Sequence, residues 1–273
     1  MQTMIRWENK RGQITIFIVV AILVIAAAAL LYLFAPGVKT IISDQPENPE
    51  EFIKTCLEDE VQDKIEIISL QGGVENPDDP KVKYFLNEGF KVRYLCYSNF
   101  FTEQNPTFEA ETDTCMPQYG DLFTEIEKEI ENSLEERVDY CFNVALKNSY
   151  EEQGYEVQIK QGEIDLSYLF DQVTINLPGY EALMTKEGVE KHDEFNIVVN
   201  NNLFELLSVA NVILKGEVEE GQFLCSSIED LSMNPHFIDC INIEFGDGTT
   251  IFALVNSKTD EIFQFASRSR VLR

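Results

Sequence analysis

From Ile14 to Phe34 the chain runs through 21 residues without a charge, a proline or a glycine, and Thr15 is the only clearly polar side chain among them. As a helix rising about 1.5 Å per residue, this run is about 30 Å long, the thickness of a bilayer's hydrocarbon core. A buried helix of a globular protein seldom lacks a polar face over such a length. A cleaved secretory signal is the closer competitor, but its apolar part spans roughly 7–15 residues and ends at small side chains. This run ends in Leu-Leu-Tyr-Leu-Phe before Ala35, Pro36 and Gly37. It therefore reads as a retained membrane helix over 14–35. Arg6, Lys10 and Arg11 precede it against a single acid, Glu8, and Lys/Arg beside a span stay cytoplasmic. The expected topology is a single pass, with 1–13 inside as a basic segment and everything from Pro36 outside the cell.

Charge then limits the partners of the outer part. The whole chain carries a formal net charge of −27, and the basic flank adds nothing to the residues beyond the span. Such a surface repels nucleic acid and anionic headgroups, so no nucleic-acid partner is expected. The six cysteines, Cys56, Cys96, Cys115, Cys141, Cys225 and Cys240, all lie beyond the span. An even number in an extracellular segment suggests disulfides, although six cysteines permit many pairings. We favour Cys96–Cys115 and Cys225–Cys240 as local loops and Cys56–Cys141 as a tie between two helices, with buried free thiols as the alternative. No CxxC occurs and there are only two histidines, His192 and His236. That argues against a zinc site, and no cofactor is called for.

Residues 36–50 read as a polar linker. Phe52, Cys56, Val61, Ile65 and Ile68 then recur at helical spacing, and Gly72-Gly73 supplies a stop. Residues 90–97 suit a strand. A second helix shows in Phe123, Ile126, Ile130, Leu134, Val138, Cys141 and Ala145, with Glu and Lys opposite, including Glu135 and Glu136. Cys141 thus faces inward like Cys56. A bridge between them closes a loop of about 85 residues, for about 4 kcal/mol in the chain-entropy account. After Gly154 the period changes to two, and 155–160, 163–170, 172–177 and 194–200 read as an antiparallel meander. Leu203 to Glu219 reads as a further helix. A final hairpin turns at Gly246-Asp247-Gly248 between 241–245 and 250–255, followed by a strand after Lys258-Thr259-Asp260. The fold class is α+β: an N-terminal transmembrane helix, a mainly helical part over 51–153, and a mainly β part over 154–273 with an antiparallel sheet.

Chemistry is harder to find. Gly246-Asp247-Gly248 lacks the lysine of a P-loop and the acidic ladder of an EF-hand, so it reads as a turn. Glu75, Asp78 and Asp79 could hold Ca²⁺ weakly, but a solvated acidic loop is the better reading. His192 and Asp193 are neighbours in a strand and point to opposite faces, so they do not form a base and its orienter. Ser226-Ser227 after Cys225 reads as a turn or helix start. No nucleophile, base and oxyanion donor assemble, so no catalytic residue is assigned. Tyr94, Tyr97, Phe100, Phe101 and Phe108 cluster around the Cys96–Cys115 loop. They are the candidate contact surface if a partner binds.

Lys10-Arg11-Gly12-Gln13-Ile14-Thr15, directly before the apolar run, resembles the class III signal peptide of archaeal type IV pilin-like proteins. The resemblance covers about 25 of the 273 residues. It implies a cut by prepilin peptidase between Gly12 and Gln13 that leaves the apolar helix attached. Many pilins carry a glutamate at the fifth mature position, where it meets the terminal amine of a neighbouring subunit. Here that position is Phe17, which implies processing without filament assembly. The stretches 55–61, 69–73, 139–143 and 150–157 are similar to a group of single-pass membrane proteins of small-genome archaea, a likeness that implies no activity. Together these readings lead to the expectation of a non-enzymatic, membrane-anchored cell-surface protein for adhesion or envelope organisation. The alternative is an anchored envelope hydrolase or ligand-binding receptor whose site forms only in three dimensions.

Overall fold

Asparagine before proline starts the first helix of the structure. In the computed structural model, which describes residues 48–77, 91–98, 114–228, 237–246 and 248–269, Asn48 caps helix α1 (Pro49–Leu70) by accepting from the Glu51 amide at 2.8 Å. Proline at the first helical position gives up no hydrogen bond, and Glu50 and Glu51 face the positive end of the helix dipole. The helix thus begins inside the segment read as linker. Its buried stripe is Ile53, Leu57, Val61, Ile65 and Ile68, with Phe52 and Cys56 packed on its flank. Gly72 and Gly73 end it with φ of 77° and 87°, values that a Cβ disfavours. The Gly73 amide returns to the Ile68 carbonyl at 2.9 Å.

Helix α2 (Leu122–Tyr140) is capped by Asp121, which accepts from the Thr124 amide. It runs through a π-helical segment (Cys141–Leu146) into α3 (Lys147–Glu152). Leu122, Ile126, Ile130, Leu134, Val138, Phe142, Leu146 and Tyr150 are all buried and stand four residues apart. Each such step overshoots an α-helical turn by about 40°, so the stripe would wind away from the core. The wider π turn takes up the extra residue and brings Phe142, Leu146 and Tyr150 back. The expected face through Ala145 is therefore corrected to one through Phe142 and Leu146, while Ala145 is only half-buried.

Three sheets complete the architecture. Strands β1 (Tyr94–Tyr97), β2 (Met116–Pro117), β9 (Ile238–Glu244), β10 (Thr249–Asn256) and β11 (Ile262–Arg268) form one sheet in the order β2-β1-β11-β10-β9, with β1 parallel to β11. Strands β3 (Glu156–Lys160), β6 (Glu181–Thr185) and β7 (Val189–His192) form a second, in the order β3-β6-β7. Strands β4 (Asp165–Leu169), β5 (Gln172–Asn176) and β8 (Asn196–Asn200) form a third, β4-β5-β8. The α+β class holds, and the strands expected over 163–170, 172–177 and 194–200 pair antiparallel in that order as β4-β5-β8, whereas the strand expected over 155–160 pairs with β6 in a separate sheet. The β4–β5 hairpin splits β3 from β6, and β6–β7 splits β5 from β8. A meander predicted from alternation alone assumes that neighbours in sequence pair in space, and from β3 to β8 two of the five neighbouring pairs, β4–β5 and β6–β7, do so.

Helix α4 (Leu203–Glu220) lies on β10 and β11, and α1 packs against α2, the π segment, β8 and β11. One core cluster joins both helical and β parts, from Ile53 and Leu57 to Phe252 and Phe265. Residues Glu47–Arg273 accordingly form a single compact unit, and β1 and β2 of the first part complete the sheet of the last. Gly162 shows how tightly the connections fit. A Cβ there would lie 2.1 Å from the Pro178 carbonyl oxygen, a distance no larger side chain tolerates. Among the described residues no helix is long and apolar enough to cross a membrane. The span read over 14–35 lies outside them.

Candidate functional site

The six cysteines form three disulfides, Cys56–Cys141, Cys96–Cys115 and Cys225–Cys240, the pairs favoured from the sequence. Cys56–Cys141 ties α1 to the start of the π segment. Cys96–Cys115 ties β1 to the residue before β2, and Cys225–Cys240 ties a 3-10 turn (Cys225–Ile228) to β9. Gly12 and Gln13 lie outside the described residues, as do Asp78, Asp79, Phe100, Phe101 and Phe108.

The other flagged residues find separate places. His192 Nδ1 meets Glu50 Oε1 at 2.8 Å, joining β7 to the start of α1. Asp193 instead pairs with Lys191 at 2.8 Å, which holds its carboxyl below the usual range through that hydrogen bond and charge. Glu75 is engaged by the Lys64 ammonium, so its carboxylate serves that pair rather than a calcium loop. Tyr94 is buried, its hydroxyl 2.9 Å from that of Thr249, so this aromatic belongs to the sheet's second, smaller cluster rather than to an open contact surface. Gly248, at φ 81°, closes the hairpin turn with its amide on the Phe245 carbonyl. Glu135 and Glu136 are exposed.

A site unforeseen in the sequence forms where three connections meet. The β4–β5 turn (Phe170, Asp171), the entry to α4 (Asn200–Glu205) and the β10–β11 turn (Asn256–Glu261) enclose a cavity of about 630 Å³, with Phe237 on its wall. Its frame is heavily cross-linked. Asp171 sits at φ 60° in a two-residue turn, and its amide donates to Glu205 Oε1 at 3.0 Å. Its carbonyl accepts from the Asn201 amide at 3.1 Å. In the facing turn Asp260 also has φ 60° and donates its amide to the Asn256 carbonyl. Among the described residues, Asp171 and Asp260 are the two non-glycine positions with positive φ. Aspartate tolerates that region better than most side chains, at a cost that the surrounding structure must hold in place. Glu261 Oε2 bridges the turn to the helix by accepting from the Asn202 amide, the Asn202 side chain and the Thr259 hydroxyl.

Two polar side chains on the wall are left without a complete set of partners. Glu205 is 4% exposed and its Oε2 is buried with no hydrogen bond. Asn256 is 1% exposed; its Oδ1 accepts from the Lys258 amide at 3.0 Å, whereas its Nδ2 has no acceptor. Buried polar atoms without partners are rare because each costs about 1–3 kcal/mol. Phe170 stands 71% exposed at the turn, its ring 5.1 Å from that of Phe204. The Lys258 ammonium lies 4.0 Å over the Phe237 ring. The sequence signals were faint: three asparagines in a row before α4 and a Phe-Asp pair between two strands, each an ordinary cap or turn by itself.

Carboxylates gather at a second place. Glu127, Glu131 and Asp165 bring oxygens within 4.8 Å of one another. Burial, then the charges of Glu131 and Asp165, raise the Glu127 carboxyl above its usual range. These acids also have structural work: Glu131 accepts from the Leu166 amide at 2.9 Å, holding α2 to β4. No family model, no curated protein and no solved structure matches this chain.

The Glu205 carboxyl has a consequence that titration can read. Loss of water raises it above its ordinary 4.5, against the lowering effect of the Asp171 amide. A raised acid binds its proton more tightly when folded, so its contribution to stability is complete below about pH 4.5 and is lost as pH rises through the folded value. Glu205→Gln should therefore gain stability relative to the native protein as pH rises from about 4.5 to 7. Denaturant unfolding at several pH values checks this, and parallel curves for the two proteins would contradict it. Glu127 leaves a residual slope of the same sign in the variant.

Proposed function

We propose that the chain is a membrane-anchored archaeal cell-surface protein, and that its disulfide-bonded unit is a binding module serving adhesion or envelope organisation rather than an enzyme. The observation that carries this reading is the set of three disulfides within one compact unit. Such bonds persist in oxidising surroundings outside the cytoplasm. The apolar run over 14–35 supplies the anchor and its basic flank the orientation, N-terminus inside. The pilin-like Gly12-Gln13 junction supplies a site for prepilin peptidase, and Phe17 in place of a glutamate keeps the copies dispersed in the membrane. Of the alternatives, a ligand-binding receptor gains support from the cavity at the start of α4. The described histidine, His192, bonds to Glu50 and not to a hydroxyl nucleophile.

Labelling of intact native cells tests this. A membrane-impermeant amine reagent should modify lysines such as Lys215, which is well exposed. The purified protein should begin at Gln13 and yield the three disulfide-linked peptide pairs. A chain recovered from the cytosol with six free thiols would overturn the reading.

A further inference from the structure

We infer that the cavity at the start of α4 binds a neutral, hydroxyl-rich ligand, a short saccharide, with Glu205 and Asn256 as the polar pair that recognises it. The inference rests on reading the unit as a binding module and names its ligand class. Its volume, about 630 Å³, lies within the range of roughly 300–1,000 Å³ typical of small-molecule sites.

The chemistry of the wall selects among ligands. The two unpartnered atoms are a carboxyl oxygen, Glu205 Oε2, and an amide donor, Asn256 Nδ2. A hydroxyl both donates and accepts, so it can satisfy either atom, whereas an ammonium serves only the first and a carbonyl only the second. Asn200, Asn202 and Thr259 add further neutral hydrogen-bonding groups to the wall. Phe170, exposed at the turn, offers an apolar ring to the C–H face that a sugar presents beside its hydroxyls.

Other ligand classes fit less well. An anion meets Asp171, Glu205 and Glu261 against Lys258 alone, on a chain of net charge −27. A divalent cation needs converging oxygens. Among the described residues, the three acids that converge are Glu127 and Glu131 on α2 and Asp165 on β4, none of which lines the cavity. Within the cavity, Glu261 Oε2 is already occupied by three donors. Both positive-φ aspartates hold the turns that frame the site.

The test uses the full chain in a detergent without a sugar headgroup. Glucose-, mannose- and N-acetylglucosamine-based trisaccharides, their monosaccharides and CaCl₂ are titrated by calorimetry. At least one saccharide should bind, and Phe170→Ala and Glu205→Gln should each weaken it about tenfold or more. Both variants should retain the native circular dichroism. Phe170 is a surface side chain, and glutamine keeps the acceptor for the Asp171 amide, so folding is preserved. Tighter binding of a trisaccharide than of its monosaccharide marks a glycan chain as the source; equal binding marks a free sugar. Both outcomes support the inference. Binding of CaCl₂ alone, no saccharide binding, or binding undiminished in both variants would overturn it. Failure here with successful surface labelling removes the ligand class and leaves the anchored-module reading. Saccharide binding by a chain recovered from the cytosol does the reverse.

Discussion

Replacing Cys56 and Cys141 together by alanine should lower the unfolding free energy by about 4 kcal/mol, the largest loss among the three bridges. The bridge joins residues 85 apart in sequence, against 19 and 15 for the other two. In the chain-entropy account a cross-link acts on the unfolded chain, and its effect grows with the logarithm of the loop it closes. The two shorter loops therefore contribute about 3 kcal/mol each by the same account. The native fold around Cys56 and Cys141 does not depend on the bond alone. The α1 and α2 stripes are buried throughout, and Arg137 donates to the Cys56 carbonyl at 3.1 Å. The double variant should thus still fold, with a lower denaturant midpoint and an unchanged spectrum. Equal losses for all three double variants would contradict the loop-length account, and loss of folding in this one alone would show that the bond also organises the native helices.

Phe142→Ala should cost about 3–5 kcal/mol and lower the melting temperature on the order of 10 °C. The Phe142 ring is fully buried, stacked on Tyr180 at 4.6 Å and edge-on to Phe195 at 4.8 Å. Truncation removes both contacts and leaves a cavity that the surrounding helix and strands cannot close. Val144, two residues on in the same π segment, is 40% exposed. Val144→Ala should change stability by no more than about 0.5 kcal/mol. Thermal unfolding of the two variants compares them directly. A similar, small loss in both would remove the π segment's role in presenting Phe142 to the core.

Local periodicity made much of this fold legible. Helix α1, the first four turns of α2, α4 and most strands can be read from where apolar residues recur. Burial on one face imposes a period near 3.6 on a helix and 2 on a strand, and caps such as Asn48-Pro49 and breakers such as Gly72-Gly73 mark their ends. The cysteine pairs could be read for a related reason. Cys56 and Cys141 each fall on the inward side of a helix, and the other pairs are close enough in sequence to meet by local turns.

The stripe past Val138 was harder, because a π turn shifts which residue faces inward and leaves no mark in composition. Alternation fixes which face of a strand is buried but not which strand lies beside it. The interleaved order of β3 to β8 and the parallel pairing of β1 with β11 therefore emerge only when the helices choose which sheet face to cover. The candidate site lies furthest from the sequence. Phe170, Glu205 and Asn256 come from three connections, each an unremarkable turn or helix start in its own neighbourhood. Their partnerless polar atoms exist only because packing removes water from them after the chain has folded. What the sequence determined alone was the apolar run, the charge and the inward faces of the elements, since each depends on residues a few positions apart. The order of the strands, the turn of the π segment and the cavity depend on contacts between distant residues, and those only the tertiary structure decides.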